Sequence, residues 1–215
     1  YTDAVKQVAA DNPDMKFVLL NDTVKTDNVE SLMPNTQQIG QLAGALAGIL
    51  SKTNNIGFGV IVAFVVYIFA ALTFFPALAL GPAGSFSDAA KGKELATTMI
   101  KNNDVDVMFG DASIVDTGAR EALAAAENRF DIGQPGDLGS ASDELIACSV
   151  VTDNKSMLKQ AMEDVEKGEY GNKVIYGDLS NGGVAVGTFS DKLVTKEQQD
   201  EYNKYVEQIK DGKFL

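Results

Sequence analysis

The chain has 215 residues, with 18 Lys and Arg against 30 Asp and Glu, a net charge of −12, no His and one Cys. That length holds one large α/β domain or two lobes of about 100 residues each, and an acidic chain without a basic run argues against a nucleic-acid partner. The missing His removes the usual general base and the commonest zinc ligand, while a lone Cys148 excludes an intramolecular disulfide and any CxxC metal site.

Thr2 to Ala10 reads as a helix with Val5, Val8 and Ala9 on one face. Asn12-Pro13-Asp14 makes a turn, and Lys16 to Leu20 reads as a buried strand ending in Asn21 and Asp22. A helix from Gln37 to Lys52 follows, its stripe of Ile39, Leu42, Leu46, Ile49 and Leu50 backed by Gly40, Ala43, Gly44, Ala47 and Gly48. Next comes a run from Ile56 to Leu80 that carries no charge. By length alone it is a membrane-span candidate, since about 20 apolar residues cross a bilayer. A buried strand, helix and strand, with Pro76 at the end of the helix, is the favoured reading over a span, and a third reading is that the sequence of this stretch is not the one the gene encodes.

Asp88 caps a helix to Lys101, Val105 to Phe109 is a strand, and Asp116 or Thr117 caps an alanine-rich helix burying Ala119, Ala122, Leu123 and Ala126. Phe130 to Gly133 and Ile146 to Val151 are short strands. Leu158, Ala161, Met162 and Val165 mark by their spacing a helix that Gly168 ends. Strands at Val174 to Tyr176 and Val184 to Val186 precede a last helix, opened by a capping box at Thr195-Lys196-Glu197-Gln198 and running to Asp211. This alternation predicts α/β units around mostly parallel sheets.

In open parallel sheets, ligands bind beyond the carboxyl ends of the strands. That rule selects Asn21 and Asp22, Asp111 and Ser113, the loop from Gln134 to Asp137, and Thr152 with Asp153. Such short acids, amides and hydroxyls suit hydroxyl-bearing polar solutes. Phe86, between Ser85 and Ser87 at a strand–helix junction, offers an aromatic face to a base or sugar or else packs in the core. No phosphate loop or nucleophile motif is present in the sequence. The acid pairs Asp104/Asp106 and Asp143/Glu144 read as solvated faces, and Cys148 reads as a packed thiol in an apolar strand.

Several stretches resemble the basic membrane protein / purine nucleoside receptor A-like family of ABC transporter substrate-binding proteins. They are Asn12 to Leu20, Gly84 to Ala96, Asp104 to Phe109, Ile132-Gly133 with Asp137, Ser149 to Val151, and Tyr176-Gly177 with Gly182 to Val184. The Gly84-Ser85-Phe86-Ser87-Asp88 run is the most specific of these. The resemblance implies a type I periplasmic-binding-protein fold, in which two lobes close on a ligand, with the family's N-terminal strand and helix missing from this chain. It further implies residues 1–82 in an incomplete N-terminal lobe, 83–152 in a C-terminal lobe, and 153–215 in crossing segments and closing elements.

The expected function is then a solute-binding receptor without catalysis, cofactor or metal. It would be extracytoplasmic, lipid-anchored or periplasmic, and monomeric, and would deliver a nucleoside-like ligand to an ABC permease. Asp111, Ser113, Asp137, Thr152, Asn21 and Phe86 are the candidate contacts. Pro135 and Thr152 stand where the family has an acid and a lysine, which loosens the ligand assignment. A membrane-anchored small-molecule sensor using residues 56–80 is the competing reading.

Overall fold

The computed structural model describes residues 2–60, 77–82, 87–111, 114–139 and 144–213. The chain divides into two compact units, Tyr1–Asn35 with Thr152–Ala185, and Thr36–Val151 with Val186–Leu215. Residues 36–82 therefore belong with 83–151 rather than with the first 35, because β3 (Asn55–Val60) pairs along its length with β5 (Val107–Asp111).

The smaller unit holds α1 (Thr2–Asp11), β1 (Phe17–Leu20), β2 (Val29–Pro34), α5 (Lys155–Lys167) and β8 (Lys173–Gly177). Its sheet runs β1-β2-β8, all parallel, with Phe17 opposite Val29 and Glu30 opposite Lys173. Helix α1 packs Ala9 on Leu19, Val24 and Val29, while Val8 turns outward. β1 is less buried than its apolar sequence predicts. Alternation sends Leu19 into that cluster and leaves Val18 40% and Leu20 49% exposed.

The expected stripe of α5 also needs correction. Met157, Ala161 and Asp164 face inward, the first two against Leu32, whereas Leu158, Met162 and Val165 are exposed. An acid occupies the third inward position, so counting apolar residues rotated the helix by about one position.

The larger unit has a six-stranded sheet in the order β4-β3-β5-β6-β7-β9, where β4 is Ala77–Pro82, β6 Phe130–Gly133, β7 Ile146–Thr152 and β9 Val184–Val186. The pairs β3–β4, β3–β5, β5–β6 and β6–β7 are parallel. Both ends of the uncharged run at 56–80 are thus sheet strands, so the run is not one continuous membrane-crossing helix. Among the described residues, no helix is long and apolar enough to span a bilayer.

Helix α2 (Thr36–Leu50) is buried on nearly all sides. Its partner α6 (Lys196–Lys210) carries Tyr202, whose hydroxyl donates to Leu42 O at 3.1 Å, and Gln198, whose amide donates to Ile49 O at 3.3 Å. The expected capping box opens α6: Thr195 Oγ1 accepts from Gln198 N, and Gln198 Oε1 accepts from Thr195 N. Asp88 caps α3 (Ala89–Asn103), its Oδ1 accepting from Lys91 N at 2.9 Å.

α3 meets α4 (Ile114–Ala124) through two glycines, and no side chain would fit at either. A Cβ on Gly92 would lie 1.9 Å from Val115 O, and one on Gly118 would lie 1.7 Å from Ala89 O. Since α4 begins at Ile114, Asp116 is not its cap. It lies inside the first turn, buried, and would clash with any Cβ on Gly110.

Candidate ligand-binding site

Reading β3 as the first strand, the order β4-β3-β5-β6-β7 is 2-1-3-4-5, the doubly wound arrangement whose ligand crevice opens beyond the carboxyl ends at the switch between strands 1 and 3. Here that switch falls between β3 and β5. Val60 and Asp111 are the last pair in their register, so topology sets Asp111 at the mouth of the crevice. The next strand adds the loop after β6. Gln134, buried at the start of that loop, donates its amide to Gly110 O and ties the two strand ends together.

Asp137 lies further along the same loop. Its carboxylate accepts the Thr188 hydroxyl at 2.6 Å, the Thr188 N–H at 3.0 Å on either oxygen, and the Gly139 N–H at 3.3 Å. Partial burial works to raise its pKa, but these hydrogen bonds outweigh it and hold the carboxyl below the ordinary carboxylate range. The candidate contact is thus already engaged in fixing the segment after β9. Gly187 donates its N–H to Ser149 O at 2.8 Å, and Ser149 Oγ accepts from Leu138 N at 2.9 Å. A Cβ on Gly187 would meet Asp137 Oδ1 at 2.7 Å, so only glycine allows this approach.

Thr152 is the last residue of β7 and is half-buried. Asn21 belongs to the smaller unit, at the end of β1, with a left-handed φ of 59° and its N–H donating to Leu32 O at 3.0 Å. Beside it, Asp22 accepts from the Thr2 hydroxyl and the Thr23 N–H, and these hydrogen bonds lower its pKa. Ser113 and Phe86 lie outside the described residues. The structure therefore brings Asp111 and Asp137 to neighbouring strand ends of one sheet and places Asn21 in the other unit.

Sequence reasoning passed over two polar groups. Ser149 sits in mid-strand among apolar neighbours, where nothing marks it. The turn after β8 carries a clearer signal, an acid and an amide three residues apart: Asp178 accepts from Ser180 and Asn181, and Asn181 accepts from Asp178 N and Gly183 N. Asp106 is a correction. It is not a solvated acid but a buried one that accepts from Ser51 Oγ at 2.6 Å, Lys52 N at 2.6 Å and Thr53 N at 3.1 Å, while Asp104 is exposed and pairs with Arg129.

Cys148 is fully buried, and burial pushes its thiol up to about 12, far from a reactive thiolate. Among the described residues, no group of acids and cysteine is disposed to hold a metal ion.

Residues 1–69 and 78–213 match the Bmp family, described as PnrA-like ABC transporter substrate-binding proteins. The chain is 29% identical to the ABC transporter nucleoside-binding protein BmpA of Lactococcus lactis subsp. cremoris (strain MG1363), over 99% of this chain and 67% of that protein. It is 27% identical to the transcriptional activator protein med of Bacillus subtilis (strain 168), over 96% of this chain and 66% of that one. The chain thus spans about two thirds of the length of each.

Two solved structures share the fold. A transcriptional activator of the comK gene from Bacillus halodurans superposes with a TM-score of 0.85 at 22% identity, over 99% of this chain and 76% of that one. An ABC transporter solute-binding protein from Aeropyrum pernix K1 gives 0.74 at 18% identity, over 100% of this chain and 68% of that one.

Proposed function

The chain belongs to the Bmp family of PnrA-like ABC transporter substrate-binding proteins, and from that premise we propose that it is an extracytoplasmic receptor that captures a nucleoside for an ABC permease. The observation that carries the reading is the strand order of the larger unit, which puts Asp111 at the topological switch point beside the loop after β6. The backbone position of Asp111 makes it the first candidate for contact with the ligand, and Asp137 acts by holding the segment at Thr188 in place. Binding of a neutral polar solute needs only this, with no nucleophile or metal. Nucleosides come first because the Lactococcus relative is named for binding them. The family resemblance supports a monomer that is either lipid-anchored or free in the periplasm.

The similarity to two proteins named transcriptional activators favours a second use of the same site, solute sensing coupled to regulation. Capture of a small solute is common to both uses.

A thermal-shift screen against nucleosides, sugars and amino acids tests the capture step. A ligand at 100 times its Kd stabilises the folded state by about 2.7 kcal/mol, roughly 5–10 °C in Tm for a chain of this size. The expected result is a shift of that order with nucleosides that Asp111→Ala abolishes. Shifts with sugars alone, or none with any solute, overturn the nucleoside reading.

A further inference from the structure

Glu30 occupies the middle strand of the three-stranded sheet and has no exposed surface. Its Oε1 accepts the Gly171 N–H at 3.0 Å, while its Oε2 is buried with no donor directed at it. The cation opposite it in the β2–β8 register, Lys173, is committed elsewhere, with Nζ 2.9 Å from Asp164 Oδ2. Gln160 donates to the other oxygen of Asp164, also at 2.9 Å. Asp164 is buried too, on α5, and holds the ammonium of the lysine that stands opposite Glu30 in the sheet.

A carboxylate has only acceptors, so a buried oxygen that no donor reaches is accommodated by a proton of its own. Asp164 holds the ammonium and the amide, which leaves Glu30 to carry the proton and donate it from Oε2. The other titratable groups nearby do not alter this assignment. The Tyr170 hydroxyl donates to Phe17 O, and Glu169 acts on Lys173.

We propose that Glu30 and Asp164 form a proton-sharing carboxyl pair that latches α5 and the turn at 168–172 onto the sheet of the smaller unit, and that the latch loosens as the medium turns alkaline. Burial first, then the Asp164 charge, raises the Glu30 pKa, with the Gly171 N–H and the Lys173 charge opposing; the hydrogen bond from Lys173 lowers that of Asp164. The folded state thus binds the Glu30 proton more tightly than the unfolded chain does. This stabilisation is complete below the ordinary glutamate range and is lost as pH rises through the folded-state value. Asp164 sets the acid limit, since its contribution is lost as pH falls through its depressed value.

The test is a series of thermal melts of the full chain from pH 4.5 to 8.5, wild type against Glu30→Gln, with amide exchange at Gly171 and along α5 to locate the effect. Gln keeps the acceptor for Gly171 and a donor for Asp164 at every pH. The expected result is a wild-type midpoint and α5 protection that fall toward alkaline pH, and a variant whose curve is flatter and about 2–4 °C higher at pH 8. A variant that melts lower at pH 8, or one that keeps the wild-type slope, overturns the proposal. A carbon-13 titration of the wild-type Glu30 carboxyl decides independently of whether the variant folds. A midpoint above the ordinary glutamate value supports the latch, and one at or below it excludes the shared proton.

Discussion

Each compact unit buries a carboxyl on an interior strand of its sheet, and the two are neutralised by different means. Asp131 on β6 receives a guanidinium, with Arg120 Nε 2.7 Å from Oδ2, whereas Glu30 on β2 receives a backbone N–H on one oxygen and no donor on the other. Burial pushes Asp131 up to about 7 against the pull of Arg120, with Asp116 adding to the rise. The larger unit therefore balances its buried acid with a fixed cation and, below about pH 7, with a proton as well, whereas the smaller one has no cation on its buried acid and relies on the proton. A fixed cation ties stability to one side chain, and a borrowed proton ties it to pH.

Removing the cation should have the largest effect. Arg120→Met leaves Asp131 buried and unpaired, which costs about 3–5 kcal/mol, and amide exchange should accelerate in the larger unit but not in the smaller. Without the guanidinium the folded state grips the Asp131 proton still more tightly, so the loss should be smaller at pH 5 than at pH 8. Chemical denaturation at both pH values checks the sign, and a loss independent of pH would mean that Asp131 is ionised throughout.

Gly118→Ala should cost about 1–3 kcal/mol by forcing α3 and α4 apart at Ala89 O. Its effect should be confined to the larger unit and independent of pH, which separates a packing defect from a charge defect. Glu30→Gln is the smallest of the three and opposite in sign, raising stability at alkaline pH in the smaller unit alone.

The same contrast explains what could be read from the sequence. In the larger unit the apolar residues outnumber the buried acids Asp106, Asp116 and Asp131 within each element, so the 3.6-residue stripe of α2, the strands at Phe130 and Ile146, and the caps at Asp88 and Thr195 match the structure closely. In the smaller unit polar residues stand inside. Val29–Pro34 does not read as a strand because Glu30 and Ser31, both fully buried, interrupt the apolar pattern. Asp164 misdirects the reading of α5 in the same way. Pattern recognition assumes that charge marks the surface, and it fails at Glu30 and Asp164, where an acid stands at an inward position of the element.

The rule of carboxyl strand ends selected Asp111 and the loop at Asp137 as candidates, but no spacing in sequence reveals that Thr188, 51 residues further on, engages Asp137. Asn21 was chosen by the same rule and lies in the other unit, because the rule identifies strand ends without saying which sheet they join.

The most direct test of the account is an NMR titration of the full chain with guanosine and adenosine, following backbone amides. The account predicts saturable shifts centred on Gly110 and Asp111 and on residues 134–139, at the carboxyl ends of β5 and β6, with the amino ends of the same strands unmoved. Shifts that cluster at those amino ends or elsewhere, or none at millimolar nucleoside, would contradict it.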